Sequence, residues 1–254
     1  MLQPEKLTIT KVVLNSPRLA GIKQAHRNWL FFLGHVFNEL MILNKWVLWS
    51  DSHLEYGDVR TKGAAAQLGF LLRLLLGKQL EAGDVLVKSY FCGPVRREVD
   101  SRLSADALDA ERRLEDYFEN RKDTIHYWVR NHFAFHYSLK EIGDNVVSSK
   151  KAEELAFYLC REGGNTLYDM SEVVVNRAML GGIEGDVTAA LERTVEEVTD
   201  VNRWFLVFID GFVNAVVGRV LKTFDVDKNS FDISCARHED ICIPWFAKPP
   251  NPGS

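Results

Sequence analysis

Apolar residues recur at helical intervals along most of the 254-residue chain. Between residues 20 and 50, Leu30, Leu33, Phe37, Leu40, Met41 and Leu48 fall three, four or seven apart, with no proline and only Gly21 and Gly34, which predicts one long, largely buried helix. Residues 59 to 82 repeat the pattern with Leu68, Leu71, Leu72, Leu75 and Leu76. Ser104 is an N-cap candidate before a run from Ala105 to Phe135 without Gly or Pro, predicting a third helix. A fourth is expected from Lys150 to Arg161, stopped by Gly163 and Gly164. The fifth spans Asp186 to Thr223, acidic at its start and basic near its end, as a helix dipole favours.

The intervening pieces are less regular. Residues 83 to 95 contain a short β-like run, and Asn165 to Gly185 is compatible with a hairpin, a short helix or a lid. The prolines after Asp225 favour an extended tail. No repeat is visible and no βαβ alternation occurs, so the expected fold is an all-α bundle of about five main helices. The expected organisation is an extended N-terminal segment over 1–14, a helical domain over 15–223 and an extended tail over 224–254.

Composition narrows the function classes. At 46% hydrophobic and 26% charged, the chain can bury enough apolar surface to offset the entropy of ordering. The net charge of −4 makes any nucleic-acid contact a local patch. Cys92, Cys160, Cys235 and Cys242 form no C-x-x-C pair, which suits free thiols in a reducing cytoplasm. The N-terminus lacks a signal-peptide pattern. Trp29–Trp49 carries His35, Asn38, Glu39, Asn44 and Lys45, and LGFLLRLLLG is short and carries Arg73. Neither suits a bilayer, so the expectation is a cytoplasmic protein with no membrane contact.

Chemistry-bearing residues concentrate between Ile125 and Tyr137, where three of the seven histidines fall within eleven positions. The core reads R-N-H-F-A-F-H, Arg130 to His136. An Arg-Asn pair with a histidine four to six residues beyond the arginine, late in a long helix, resembles the HEPN superfamily. That resemblance implies an all-α bundle that dimerises and places two motifs in one cleft. It further implies either a metal-independent endoribonuclease, often a toxin or antiviral factor with an antitoxin or regulatory partner, or a nuclease-dead module that binds nucleotides or proteins. Carried onto this chain, Arg130 and His136 become the catalytic pair and Asn131 the residue that orients the site. His132 and Tyr137 are candidate substrate contacts. No cofactor is implied.

The residue types suit the reaction. Cleaving RNA without a metal requires a base for the 2′-hydroxyl, charge stabilisation at the phosphorane and an acid for the leaving 5′-oxygen. Histidine titrates near neutrality, and arginine stays cationic with a fork of donors. On an unbroken helix at about 100° per residue, however, Arg130 and His136 would point about 240° apart. A shared site therefore requires the helix to end or unwind within 131–136, or a partner copy to complete it. His132 and His136 would share one face and extend the stripe of Leu114, Phe118, Ile125 and Val129.

Two other classes compete. His132-x3-His136 has metal-ligand spacing, with His26, or His35 with Glu39, as a third ligand. An interaction module is the other, with six acids against Arg193 between residues 184 and 200 as a surface for a basic partner. From 94 to 140, nine basic residues face nine acidic ones, so an RNA groove requires the fold to segregate the signs. P-loop, dinucleotide-binding, zinc-protease and serine-hydrolase signatures are absent.

Overall fold

The computed structural model describes residues 5–51, 57–136, 138–142, 155–161, 163–181, 187–221, 229–237, 240–241 and 243–247. The described residues are mostly helical, with one two-stranded sheet among them. Its longest helices are α2 (Gln24–Asp51), α3 (Val59–Val85) and α8 (Val187–Leu221). Shorter ones are α1 (Ser16–Ala20), α4 (Pro94–Val99), α5 (Ala105–Glu119), α6 (Ile125–Val129) and α7 (Asp169–Gly181). Two single π-helical turns follow α3 and α6, at Leu86–Tyr90 and Arg130–Ala134. Tertiary contacts divide the chain into two compact units.

The first unit comprises residues 1–41, 81–120 and 200–241. Its core is aromatic. Tyr90, fully buried, meets the rings of Trp29, Phe208 and Phe212 edge-on at 5.1, 5.3 and 6.0 Å. Phe118 packs on Phe205 at 5.7 Å, and its ring lies where any Cβ on Gly83 would stand, so α3 needs glycine there. Ser104 caps α5 by accepting the Ala107 N–H at 3.2 Å, as its sequence position predicts. Two short strands, one from each end of the described chain, pair with each other. β1 (Glu5–Thr10) runs antiparallel to β2 (Ser230–Cys235), with Glu5 opposite Cys235 and Thr10 opposite Ser230.

The second unit comprises residues 42–80, 121–199 and 242–254. Leu71, Leu72, Leu75 and Leu76 of α3 are buried in it, with Val129, Phe133, Val174, Ala178 and Met179. Arg73, which interrupts that leucine run, is 7% exposed and is neutralised by Glu172 at 3.1 Å while donating to Asn176 at 2.8 Å. A buried arginine is tolerated because charge and hydrogen bonds are both answered.

Several expectations need correction. The predicted helix from Ala105 to Phe135 breaks at Asn120, because Thr124 starts a new helix. Its hydroxyl donates to the Arg121 carbonyl at 2.7 Å and accepts the Tyr127 N–H at 3.3 Å. The stripe through Leu114, Phe118, Ile125 and Val129 is therefore not one helical face. The helix expected over Lys150–Arg161 is absent in its described part, 155–161, and residues 150–154 lie outside the described residues. Instead Tyr158 and Leu167 exchange backbone hydrogen bonds of 2.7 and 2.9 Å, with Phe157 stacked on Tyr168. The β-like run at 83–95 is helical through Tyr90, because its apolar side chains fill the first unit's core rather than a sheet face. Of the three forms left open for 165–185, the short helix is found, over Asp169–Gly181, and residues 182–185 fall outside the described residues.

Among the described residues one helix, Ala189–Gly218, is long and apolar enough to cross a membrane by length and composition. It differs from both stretches singled out in the sequence. Of its most apolar 18-residue window 44% is buried, and Phe205, Phe208 and Phe212 face the core.

Candidate functional site

The Arg130 segment is anchored before it begins. Thr124 caps α6, and the Ile125 N–H donates to Glu197 at 3.3 Å. His126 is fully buried, with Nε2 at 2.6 Å from Gln79 Oε1 and Nδ1 at 3.7 Å from Glu197. The Gln79 amide nitrogen donates to the Val198 carbonyl at 3.2 Å, which leaves its oxygen to accept. His126 thus carries its proton on Nε2. Burial holds His126 below the usual histidine range, and Glu197 opposes that shift only in part. Sequence reasoning missed this role for His126, although its place two residues after Thr124 was legible.

From that anchor the helix changes register. Trp128 donates its indole N–H to the Met179 carbonyl at 2.9 Å, and the next residue but one opens the π-turn Arg130–Ala134. Arg130 and Asn131 are half-buried and joined directly, with the guanidinium donating to Asn131 Oδ1 at 2.9 Å. His132 is drawn elsewhere. Its ring lies 4.0 Å from that of Trp128, and its Nδ1 is 2.8 Å from the Trp128 carbonyl. A carbonyl only accepts, so Nδ1 is the protonated nitrogen and Nε2 keeps a lone pair when the ring is neutral.

Phe133 is buried at the end of the turn. The chain then bends, and the Ser138 N–H returns to the His132 carbonyl at 3.2 Å. His136 is exposed at this bend. The helical rotation between Arg130 and His136 therefore does not apply, since a wider turn and a bend separate them. Phe135, 41% exposed, lays its ring edge over α3, where a Cβ on Gly77 would stand 2.5 Å from it. Glycine at 77 lets the residue before His136 seat on that helix. No motif flagged this contact; the only signal was an unexplained glycine within a leucine-rich helix. Tyr137 lies outside the described residues.

The comparisons with known proteins bear on this segment only by their silence. No family model, curated protein or solved structure matches the chain. Among the described residues, no three His, Cys, Asp or Glu side chains group as metal ligands. What the arrangement offers is a guanidinium steadied by an amide, a histidine with one free nitrogen and a second, exposed histidine, all within seven residues.

Proposed function

We propose that this chain is a HEPN-type endoribonuclease that cleaves RNA without a metal, with Arg130 and His136 as the catalytic pair. The observation that carries the reading is the π-turn at Arg130–Ala134, followed at once by a bend at Phe135 and His136 where His136 is exposed. The altered register re-aims the side chains that it carries, and here these are Arg130, Asn131 and His132. The Arg130–Asn131 bond supports the orienting role assigned to Asn131.

In the proposed reaction the RNA 2′-hydroxyl attacks the adjacent phosphorus as its proton passes to a histidine. The Arg130 guanidinium donates to the phosphorane oxygens as their negative charge grows. A second histidine gives a proton to the departing 5′-oxygen, leaving a 2′,3′-cyclic phosphate and a 5′-hydroxyl. A homodimer supplies the two His136 rings from two copies in one cleft. The same reading takes the protein as cytoplasmic and its activity as restrained by an antitoxin or regulatory partner.

Incubating purified protein with RNA in EDTA and identifying the new termini tests the reaction type. Cyclic phosphate and 5′-hydroxyl ends are expected. Cleavage abolished by EDTA contradicts the metal-free mechanism, and no cleavage at all favours a non-catalytic nucleotide- or protein-binding module.

A further inference from the structure

A second candidate site shares no residue with the Arg130 segment. Within the first unit, a cavity of about 540 Å³ opens beside the start of α2. That volume lies in the range that holds small molecules. Its lining includes Lys23, His26, Glu98, Arg102 and Asn214.

Its charge is unbalanced. Lys23 Nζ lies 2.5 Å from Glu98 Oε2, which accounts for one cation. Arg102 donates to two backbone carbonyls, of Glu98 at 3.1 Å and Ala215 at 3.3 Å, which hold the guanidinium without neutralising it. Two cations thus share one carboxylate. The first helical bond of α2 is from the Arg27 N–H to the Lys23 carbonyl at 3.0 Å, so the N–H groups of Gln24, Ala25 and His26 precede it. Such a turn carries partial positive charge and unpaired donors.

An independent observation points the same way. The His26 side chain is 8% exposed, and its Nε2 is buried with no hydrogen-bond partner, 3.5 Å from Glu98. A buried imidazole nitrogen without a partner is costly unless a ligand satisfies it. Asn214, also on the lining, donates from its amide nitrogen to Asp210 at 3.1 Å, and its amide oxygen can accept from a hydroxyl.

We propose that this cavity binds a phosphomonoester of a small polyol, with the phosphate between His26, Lys23 and Arg102 and a hydroxyl on Asn214. A phosphomonoester brings three acceptor oxygens and nearly two negative charges, against one charge and two oxygens for a carboxylate. The cavity is far larger than a bare ion, which leaves room for the polyol. Seating the anion shifts Glu98 aside from His26 and leaves Lys23 to the phosphate.

The full-length protein, titrated with inorganic phosphate, glycerol 3-phosphate and acetate, tests this by calorimetry and by the NMR signals of the His26 ring. Glycerol 3-phosphate is expected to bind tightest and acetate at least about tenfold more weakly, as a lost charge-assisted contact costs. Burial foremost, with Arg102 and Lys23, holds His26 below the usual histidine range against the pull of Glu98, so bound phosphate should raise its titration midpoint. Lys23→Met, at a 69% exposed side chain, leaves the fold intact and should weaken binding about tenfold. Arg102→Met should do the same. An unperturbed His26 ring, acetate binding as tightly as glycerol 3-phosphate, or undiminished binding in Lys23→Met would each overturn the proposal.

Discussion

The π-turn at Leu86–Tyr90 and the one at Arg130–Ala134 share a backbone register and have opposite surroundings. The first is sealed. Leu86 and Tyr90 are fully buried, and the Tyr90 hydroxyl has no hydrogen-bond partner. Burial first, then Glu111 and Asp100, pushes that hydroxyl well above the usual phenol range. Arg96 gathers the acids around it, with both Glu115 oxygens and Glu111 Oε1 each at 2.5 Å. The second turn is half-open, and its first three residues are Arg130, Asn131 and His132. In one place the wider turn fits a large ring into a core; in the other it carries polar groups to the surface at a helix end. A π-turn is therefore no sign of a site by itself, and what decides is which side chains it presents.

Breaking the sealed side should have the largest effect on stability. Phe118→Ala empties the space between Gly83 and Phe205, and chemical denaturation should show a loss of about 3–5 kcal/mol. RNA cleavage by the remaining folded protein should be unchanged. A loss below about 1 kcal/mol would mean the first core is not packed as described.

The converse substitution is Gly77→Ala. Its new methyl displaces Phe135 from α3, while the gain in helix propensity of about 1 kcal/mol offsets the strain. Stability should stay nearly constant while cleavage falls about tenfold, since the residue before His136 has moved. Unchanged cleavage would show that this seat does not position the loop.

The smallest effects are pH slopes of opposite sign. Burial pushes Glu111 up to about 7, with Asp100 adding to the shift and Arg96 opposing it. The folded protein then holds a proton that the unfolded chain releases, so this contribution is lost as pH rises from about 5 to 8. His126, held low by burial, does the reverse: its contribution is present above about 6.5 and is lost as pH falls, with His26 adding to the same slope. Urea midpoints across this range should lose the first slope in Glu111→Gln and most of the second in His126→Gln. Retention of either slope in its variant would place the titrating group elsewhere.

Much of this was legible in the sequence, for physical reasons that differ by residue. The long helices follow from apolar spacing, and Ser104 caps where its residue type predicts. Thr124 is as good a cap, yet without a glycine or proline to mark the break its local hydrogen bonds were outweighed by the surrounding helical pattern. Leu155, Phe157 and Leu159 alternate with period two, as an extended segment does, but lie in a run that also reads as helix. The candidate site is half legible. Residue types singled out Arg130, Asn131 and His136, whereas a π-register has no sequence signature. The pairing of His132 with Trp128 and the seat of Phe135 on Gly77 depend on that register.

The most direct test is the cleavage rate in EDTA of wild type, Arg130→Ala and His136→Ala, with melting temperature measured on each sample. Both variants should keep the wild-type melting temperature within a few degrees and lose about a hundredfold or more in rate. Wild-type rates in either variant would contradict the proposed catalytic pair.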